Sequence, residues 1–394
     1  MNKKKRLLFL ICALLDGGLD TILVEYLRNI PPDEYDVTLA IGTKMDELEV
    51  HLPKIPRWVK VEYLVDAPAL THWKKEKFRH KLPVAAKLYD ELLLNPIRKF
   101  TASRRLKRLV SQADYVIDFD STFYTALRHC PRPVIGFYHF SIEENLRRSR
   151  RHTMRQMQGM RHYRKIVLIC DAMLEEGKRL FPELSDKFVR IYNGYNIAAM
   201  RQRAEAPLPA DFAPRGYLLS VARLEESQKD ITTMLNAYAL FHRSMLIRGL
   251  TPPQLVLVGE GRSRNQLQQL AESLGIAGNV LFAGFRPDAA PYMANSMALV
   301  HSSRYEGFGL VLAEAIILGK PVIATDCPTG PAEILDNGKA GLLIPVGDAE
   351  AMAQAMERVA TDPALRGHLS EAASTHSRMF DIHTSVQQLL DICK

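Results

Sequence analysis

Two glutamates and a glycine loop stand close together in the second half of the chain. Glu306 opens the sequence Glu306-Gly-Phe-Gly309, and Glu314 follows eight residues after Glu306, inside a predicted helix. The amides and the dipole at the start of a helix attract anions, whereas carboxylates accept hydrogen bonds from hydroxyls. The two chemistries together suit a sugar nucleotide. The alternative is a strand-to-helix turn that needs glycine for steric reasons, with a solvated Glu314.

Two cations after another predicted strand point to the same kind of ligand. Arg223 and Lys229 lie six residues apart in the loop that leaves this strand, and a second glycine turn, Val258–Gly261, follows the next strand. A planar guanidinium and a compact ammonium can together hold a diphosphate and stabilise it as a leaving group. A single cation at a strand end is ordinarily solvated, but this pairing beside glycine turns favours a binding site.

The first half of the chain contributes weaker signals. Gly17 and Gly18 close the first predicted strand and let the backbone approach a ligand, while His139 ends another strand and is either a core residue or a ligand contact. Asp118 and Asp120 resemble a metal-binding Asp-x-Asp, since alternate residues of a strand share a face. We expect no metal there, because the Arg/Lys pair already supplies the positive charge.

Composition places the chain among globular proteins. Its 394 residues exceed one hydrophobic core, and 47% are apolar and 24% charged. The five scattered cysteines form no metal-binding pattern, which is typical of a reducing compartment. The basic N-terminus and the apolar run 7–15 resemble a signal peptide, but the run is short, no small-residue cleavage site follows it, and Asp16 with glycines ends it. We interpret this run as a buried strand.

Short apolar strands alternate with amphipathic helices along the chain, which predicts parallel, doubly wound sheets. The predicted strands are 6–14, 36–41, 59–64, 115–119, 134–138, 166–169, 189–192, 217–222, 254–258, 279–283, 298–302, 321–325 and 341–344. A Pro/Ala-rich linker, 204–214, follows the turn Asn193–Asn196. We predict an α/β protein with two Rossmann-like domains, 1–198 and 199–378, facing a central cleft. Residues 379–394 form a C-terminal helix that crosses back to the first domain.

Taken in order, these residues resemble glycosyltransferase family 4, whose members are retaining enzymes of the two-domain GT-B fold. The similarity covers the second domain closely, including Glu306-Gly-Phe-Gly309 and Gly330-Pro-Ala-Glu333, and the first domain more loosely. The resemblance implies that Arg223 and Lys229 bind the donor diphosphate, that Glu306 and the Gly307–Gly309 amides hold the sugar hydroxyls, and that Glu314 takes the ribose hydroxyls. It also implies that the backbone around Phe285 and Arg286 contacts the base. The catalytic residues that it implies are His139, Arg223, Lys229 and Glu306. The donor-binding residues that it implies are Gly17, Gly18, Gly259, Phe285, Arg286, Gly307, Phe308, Gly309, Leu310 and Glu314.

The expected activity is transfer of a hexose or N-acetylhexosamine from a UDP-linked sugar to a hydroxyl of a growing glycan, such as a lipid-linked precursor of lipopolysaccharide or capsule. The resemblance implies retention of configuration without a metal or other cofactor. A sugar-nucleotide epimerase or hydrolase on the same fold, and a non-catalytic nucleotide-sugar-binding subunit, are the alternatives. We expect a cytoplasmic protein.

Positive charge is concentrated in the first half. Residues 1–200 contain 35 Lys and Arg against 24 Asp and Glu, whereas the remainder of the chain is slightly acidic. Basic runs at 74–81, 98–108 and 147–151, interleaved with Trp73, Phe78 and Phe100, predict peripheral binding to an anionic membrane surface at the inner face of the plasma membrane. Nucleic acid is not expected, since no nucleic-acid-binding motif accompanies the charge. The alternative is a set of solvated helix faces.

Overall fold

The computed structural model describes residues 3–80, 82–210, 212 and 216–394. They form two compact units. The N-terminal unit contains the described part of Met1–Ile169 together with Met173–Gly194 and Ile382–Lys394, and the C-terminal unit contains Cys170–Ala172 and Tyr195–Asp381. Lys81 of the first basic run and residues 211 and 213–214 of the predicted linker lie outside the described residues, as do the side chains of Phe78 and Arg79.

The N-terminal unit is built on a seven-stranded sheet of order β3-β2-β1-β4-β5-β6-β7 with parallel pairing throughout. The strands are β1 Lys5–Ile11, β2 Tyr35–Thr43, β3 Lys60–Val65, β4 Tyr115–Asp118, β5 Val134–Tyr138, β6 Lys165–Leu168 and β7 Phe188–Arg190. The apolar N-terminal run forms β1, in which each residue of 7–11 is at most 1% exposed. The strand interpretation of this run is confirmed.

The C-terminal unit is built on a six-stranded parallel sheet of order β10-β9-β8-β11-β12-β13. Its strands are β8 Tyr217–Val221, β9 Gln254–Val258, β10 Val280–Gly284, β11 Ala298–His301, β12 Val322–Thr325 and β13 Leu342–Ile344. In both sheets the strand order reverses beside the first strand, which is the mark of a doubly wound fold. The predicted α/β class and doubly wound sheets are confirmed.

Helices connect the strands. Those before residue 195 are α1 Gly18–Asn29, α2 Pro68–Arg79, α3 Val84–Tyr89, α4 Asn95–Gln112, α5 Ile142–Met160 and α6 Asp171–Leu180, and a π-helical turn, Asp90–Leu94, joins α3 to α4. The later helices are α7 Ile197–Ala204, α8 Glu226–Lys229, α9 Ile231–Ile247, α10 Arg264–Ser273, α11 Ala290–Ala294, α12 Leu310–Ile317, α13 Pro331–Ile334, α14 Ala349–Thr361, α15 Pro363–His376 and α16 Ile382–Ile392. The final helix, α16, packs on α1 within the N-terminal unit.

None of the helices in the described ranges combines the length and the apolar character needed to cross a membrane.

Candidate functional site

The topology of the C-terminal sheet brings together loops that are far apart in sequence. Strands β8 and β11 are neighbours, although about eighty residues separate them, and the strand order reverses between them. Ligands of such sheets bind outside the carboxyl ends of the strands at this switch point. Arg223 and Lys229 follow β8, and Glu306 follows β11. The sheet therefore positions these predicted residues around one crevice of the C-terminal unit.

Lys229, Glu306 and His301 form a buried polar cluster in this crevice. The Lys229 ammonium lies 2.5 Å from Glu306 Oε1, and His301 Nε2 lies 2.9 Å from the same oxygen. The side chains of Lys229, Glu306 and His301 are 17%, 9% and 2% exposed. The two residues for which we expected separate contacts, Lys229 with diphosphate and Glu306 with sugar, thus also bind each other.

The charges of this cluster are set by burial and by its own hydrogen bonds. Burial alone would raise the pKa of Glu306, but the hydrogen bond from His301 and the charge of Lys229 outweigh it and hold this pKa well below its usual value. Burial lowers the pKa of His301 despite the neighbouring carboxylate. A neutral His301 donates its Nε2 hydrogen to Glu306, which leaves Glu306 Oε2 oriented as an acceptor.

Sequence reasoning missed His301. The feature that could have identified it is its position as the last residue of a buried strand, five residues before Glu306. A carboxylate whose partners come from the strand end itself keeps one orientation, because the strand is rigid. His301 therefore acts on any ligand through Glu306, as a positioning residue.

Hydrogen bonds to backbone carbonyls fix the two loops of the crevice. Ser302 Oγ donates to the carbonyl of Lys229 at 2.7 Å, and the amide of Arg304 donates to the carbonyl of Gln228 at 2.8 Å. On the other side, the amide of Glu306 donates to the carbonyl of Pro328 at 2.7 Å. These bonds hold the ammonium and the carboxylate in place before any ligand binds.

Arg223 differs from Lys229 in its surroundings. Its side chain is exposed, and among the described residues it has no ion-pair partner. The loop that carries it lies directly against Gly259, where a Cβ atom would come within 2.0 Å of the Ala222 carbonyl oxygen. Gly259 also has a φ of 139°. The glycine turn after β9 is thus required for the close approach of the Arg223 loop, whatever its contact with a ligand.

The glycine loop leads directly into α12, as predicted. Gly309 precedes the helix with a φ of 93°, a conformation that favours glycine, and Leu310 is the first helical residue. Phe308 is 2% exposed and packs edge-on against Phe380 at 5.5 Å between ring centroids. Its side chain is part of the core, so any ligand contact at Gly307–Gly309 is made by backbone groups.

Glu314 lies on α12, where the charged groups that influence it are Arg203 and Asp288. Burial raises the pKa of Glu314 to about 7, while Arg203 lowers it and Asp288 raises it by smaller amounts. Arg203 and Asp288 form an ion pair of 3.1 Å. Sequence reasoning did not associate these two residues with Glu314, because Arg203 belongs to α7, more than a hundred residues earlier.

The predicted base contacts follow β10. Phe285 is 54% exposed, whereas Arg286 is partly buried, with its guanidinium 5.6 Å from the ring centroid of Tyr292. Arg286 Nε is buried and has no hydrogen-bond partner among the described residues. The exposed ring of Phe285 is a surface on which a planar heterocycle can stack.

In the N-terminal unit, Gly17 and Gly18 follow β1 and lead into α1, and His139 follows β5. His139 is 8% exposed, and its Nε2 lies 2.7 Å from the carbonyl oxygen of Phe119. Burial lowers the pKa of His139 to about 4, so the ring is neutral at neutral pH. Because a carbonyl only accepts, Nε2 carries the proton and Nδ1 is the acceptor. His139 therefore can accept a hydrogen bond from a hydroxyl.

A polar cavity of about 220 Å³ adjoins His139 within the N-terminal unit. It is lined from one side by α5, which contributes Asn145, Arg148, His152 and Gln156, and it also contacts Asp120. Drug-sized ligands occupy larger pockets, roughly 300–1,000 Å³, so this cavity suits a single small polar group.

The Asp-x-Asp pair is engaged with protein groups. Asp118 accepts a hydrogen bond of 2.6 Å from the Tyr163 hydroxyl, and Asp120 accepts one of 2.7 Å from the amide of Cys12. In the part of the chain that the structure describes, no group of three or more His, Cys, Asp or Glu side chains could hold a metal ion. The absence of a metal requirement stays a prediction.

Comparison with known proteins identifies the C-terminal part of the chain. Residues 210–376 match the family model described as "Glycosyl transferases group 1". These residues are thus similar in sequence to glycosyl transferases of group 1. The match includes every candidate residue of the C-terminal crevice, from Arg223 to Glu314.

Two relatives of the chain carry the names of glycosyltransferases. The lipopolysaccharide core biosynthesis glycosyltransferase LpsE of Rhizobium meliloti (strain 1021) is 36% identical over 180 residues, which cover 46% of this chain and 49% of LpsE. The N-acetylgalactosamine-N,N'-diacetylbacillosaminyl-diphospho-undecaprenol 4-alpha-N-acetylgalactosaminyltransferase of Campylobacter jejuni is 30% identical over 192 residues, which cover 48% of this chain and 49% of the relative. The chain thus spans about half the length of these two relatives.

Among solved structures, Anabaena Alr3699/HepE in complex with UDP is similar over 98% of both chains, with a TM-score of 0.74 and 19% sequence identity. At this identity the likeness concerns the fold. The fold is GT-B, as expected.

Proposed function

We propose that this protein is a retaining glycosyltransferase of family 4 that uses a UDP-linked hexose or N-acetylhexosamine. The C-terminal unit binds the nucleotide sugar, and the N-terminal unit binds the acceptor. The observation that carries the proposal is the position of Arg223 and of the Lys229–Glu306 pair at the switch point of the C-terminal sheet, in the part of the chain that is similar to glycosyl transferases of group 1. Two cations and a positioned carboxylate there match the diphosphate and the sugar hydroxyls of one donor.

The chemistry then needs little more than electrostatic stabilisation. The bond from the sugar C1 to the diphosphate oxygen breaks, and a bond from C1 to the acceptor oxygen forms on the same face. The acceptor proton passes to the departing diphosphate. Arg223 and Lys229 stabilise the charge on the leaving group, and Glu306 Oε2 orients the sugar through its hydroxyls. His139, in the N-terminal unit, can accept a hydrogen bond from a sugar hydroxyl through Nδ1.

For the acceptor we propose a growing surface glycan on a lipid carrier, processed on the cytoplasmic side of the plasma membrane. The relatives named above support this, since one is a lipopolysaccharide core enzyme and the other acts on a diphospho-undecaprenol-linked sugar. The cavity beside His139 has the size and polarity to take one hydroxyl group of such a glycan.

The test is a labelled-donor assay with and without a glycan acceptor, on the wild type and on Arg223→Ala. We expect transfer that needs acceptor, and a loss of about 10²–10³-fold in turnover for Arg223→Ala, the scale for removal of one preorganised stabilising group. Arg262→Ala, an exposed arginine of the neighbouring loop, is the matched control. Acceptor-independent release or epimerisation of the sugar would assign the domain to a hydrolase or epimerase. Turnover of Arg223→Ala within about threefold of the wild type would refute the site.

A further inference from the structure

Exposed apolar side chains are concentrated in one short segment of the N-terminal unit. Seven of the seventeen large apolar residues that are exposed in the described chain lie between residues 84 and 100. They are Val84 (75% exposed), Leu88 (51%), Tyr89 (49%), Leu92 (68%), Leu93 (56%), Ile97 (49%) and Phe100 (65%). Single exposed apolar residues are ordinary on protein surfaces, but a contiguous group marks an interaction site.

These residues lie on one side of a continuous helical segment made of α3, the π-helical turn and the start of α4. Val84, Leu88 and Leu92 are four residues apart, and Leu93, Ile97 and Phe100 continue at intervals of four and three. The π-helical turn takes more residues per turn than an α-helix, so it realigns the second series with the first. We call this side, formed by the seven residues above, the apolar ridge.

The opposite side holds the segment to the rest of the unit. Asp90 and Arg98 are 9% and 4% exposed, and they form two hydrogen-bonded contacts of 2.6 and 2.9 Å. Arg98 also donates to the carbonyl of Leu70 in α2 at 2.9 Å. A buried, bidentate ion pair thus fixes the inward side of the segment. Because that side is held against the unit, the apolar ridge on the other side faces solvent.

Basic residues surround the ridge. Residues 82–112 contain seven Lys and Arg against two Asp and Glu. Lys87, Lys99 and Arg104 are exposed, and the Arg104 guanidinium lies 5.9 Å from the ring centroid of Phe100. Apolar side chains surrounded by cations match a lipid surface with anionic headgroups. Two copies of the chain placed ridge to ridge would instead bring like charges together.

We propose that the apolar ridge inserts into the headgroup–acyl boundary of an anionic bilayer. Lys87, Lys99 and Arg104 then lie at headgroup level, with their aliphatic stems along the apolar surface. The sequence places the membrane-binding surface around Trp73. The structure favours the apolar ridge instead, because Trp73 is partly buried and its ring lies edge-on to His72, with 4.9 Å between the ring centroids. The ridge adds a membrane partner to the proposed function, and its binding to lipid does not depend on the sugar chemistry.

The experiment is co-sedimentation of the full chain with phosphatidylcholine vesicles and with vesicles that also contain phosphatidylglycerol, at low and high salt. The test variant is Leu92→Ser/Leu93→Ser/Phe100→Ser, and the matched control is Leu246→Ser/Ile247→Ser, whose side chains are 55% and 80% exposed in the C-terminal unit. We expect the wild type and the control to bind anionic vesicles, and the test variant to bind at least about 100-fold more weakly. Lys87→Gln/Lys99→Gln should bind at least about tenfold more weakly, with a smaller salt dependence.

Transfer to a soluble acceptor should be the same in the wild type and the test variant, so loss of lipid binding is separated from failure of the catalytic proposal. Circular dichroism verifies that the variant is folded. Equal binding by the test variant and the wild type would overturn the proposal, as would negligible binding of the wild type to anionic vesicles at low salt. A dimer of the wild type that the test variant abolishes, without vesicle binding, would assign the ridge to a second copy of the chain and equally overturn it.

Discussion

The ion pair between Lys229 and Glu306 can be tested by a double-mutant cycle. Lys229→Met leaves Glu306 as a buried carboxylate whose remaining partner is the neutral His301. Loss of one member of a buried pair costs about 3–5 kcal/mol, because an uncompensated charge stays in the interior. Glu306→Gln leaves the Lys229 ammonium with little solvent and should cost a similar amount. The double variant removes both charges and should cost little more than either single variant.

The predicted coupling energy is therefore about 2–3 kcal/mol, near the upper end for residues in contact. Urea unfolding followed by far-ultraviolet circular dichroism at pH 7 gives the four free energies of unfolding. Both tryptophans of the chain, Trp58 and Trp73, belong to the N-terminal unit, so tryptophan fluorescence supplies an internal reference for that unit. Lys339→Met, which removes an exposed ion pair with Asp336, is the control and should change stability by less than about 0.5 kcal/mol.

Additive effects of the two single substitutions would refute the reasoning, since independent residues show no coupling. The same set of variants also separates folding from catalysis. If Lys229 stabilises the leaving group, the double variant stays inactive although it is hardly less stable than either single variant.

Two further predictions concern metal and pH. Transfer should survive EDTA at saturating donor, because fixed cations replace a divalent ion, and loss of activity that Mn²⁺ or Mg²⁺ restores would instead assign Asp118 and Asp120 as ligands. Burial raises the pKa of Glu314 from 4.5 to about 7, so the folded protein binds its proton more tightly and stability falls as the pH rises through this window. Glu314→Gln should therefore stabilise the C-terminal unit by up to about 3 kcal/mol at pH 8 and by little at pH 5, as measured by urea unfolding; equal gains at both pH values would contradict this.

The positions of the strands were accessible from the sequence. Each predicted strand is present, to within three residues at each end, because short Val-, Ile- and Leu-rich runs bounded by glycine and polar residues form buried parallel strands. The loop that follows a strand is then known, and with it the place of Arg223, Lys229 and Glu306 at strand ends. These properties depend only on neighbouring residues in the chain, so they can be predicted from the sequence.

The partners of those residues were decided by the tertiary structure. Only the order of strands in the sheet makes β8 the neighbour of β11, and this places Lys229 against Glu306 and His301. Long-range pairing is absent from local patterns, since any two parallel strands with the same apolar composition can in principle pair. The same limit applies to Phe308, which motif analysis assigned to a ligand and which packs in the core.

The apolar ridge illustrates the same difference between what the sequence determines and what the tertiary structure decides. From the sequence alone, residues 73–111 are predicted to be basic and helical, and apolar side chains occur throughout them. Which of these side chains face solvent depended on the Asp90–Arg98 pair and on the π-helical turn, which together set the rotation of the segment against the unit. Composition is a property of the chain, whereas exposure is a property of the packed fold, because burial on one side of a helix is what leaves the other side free.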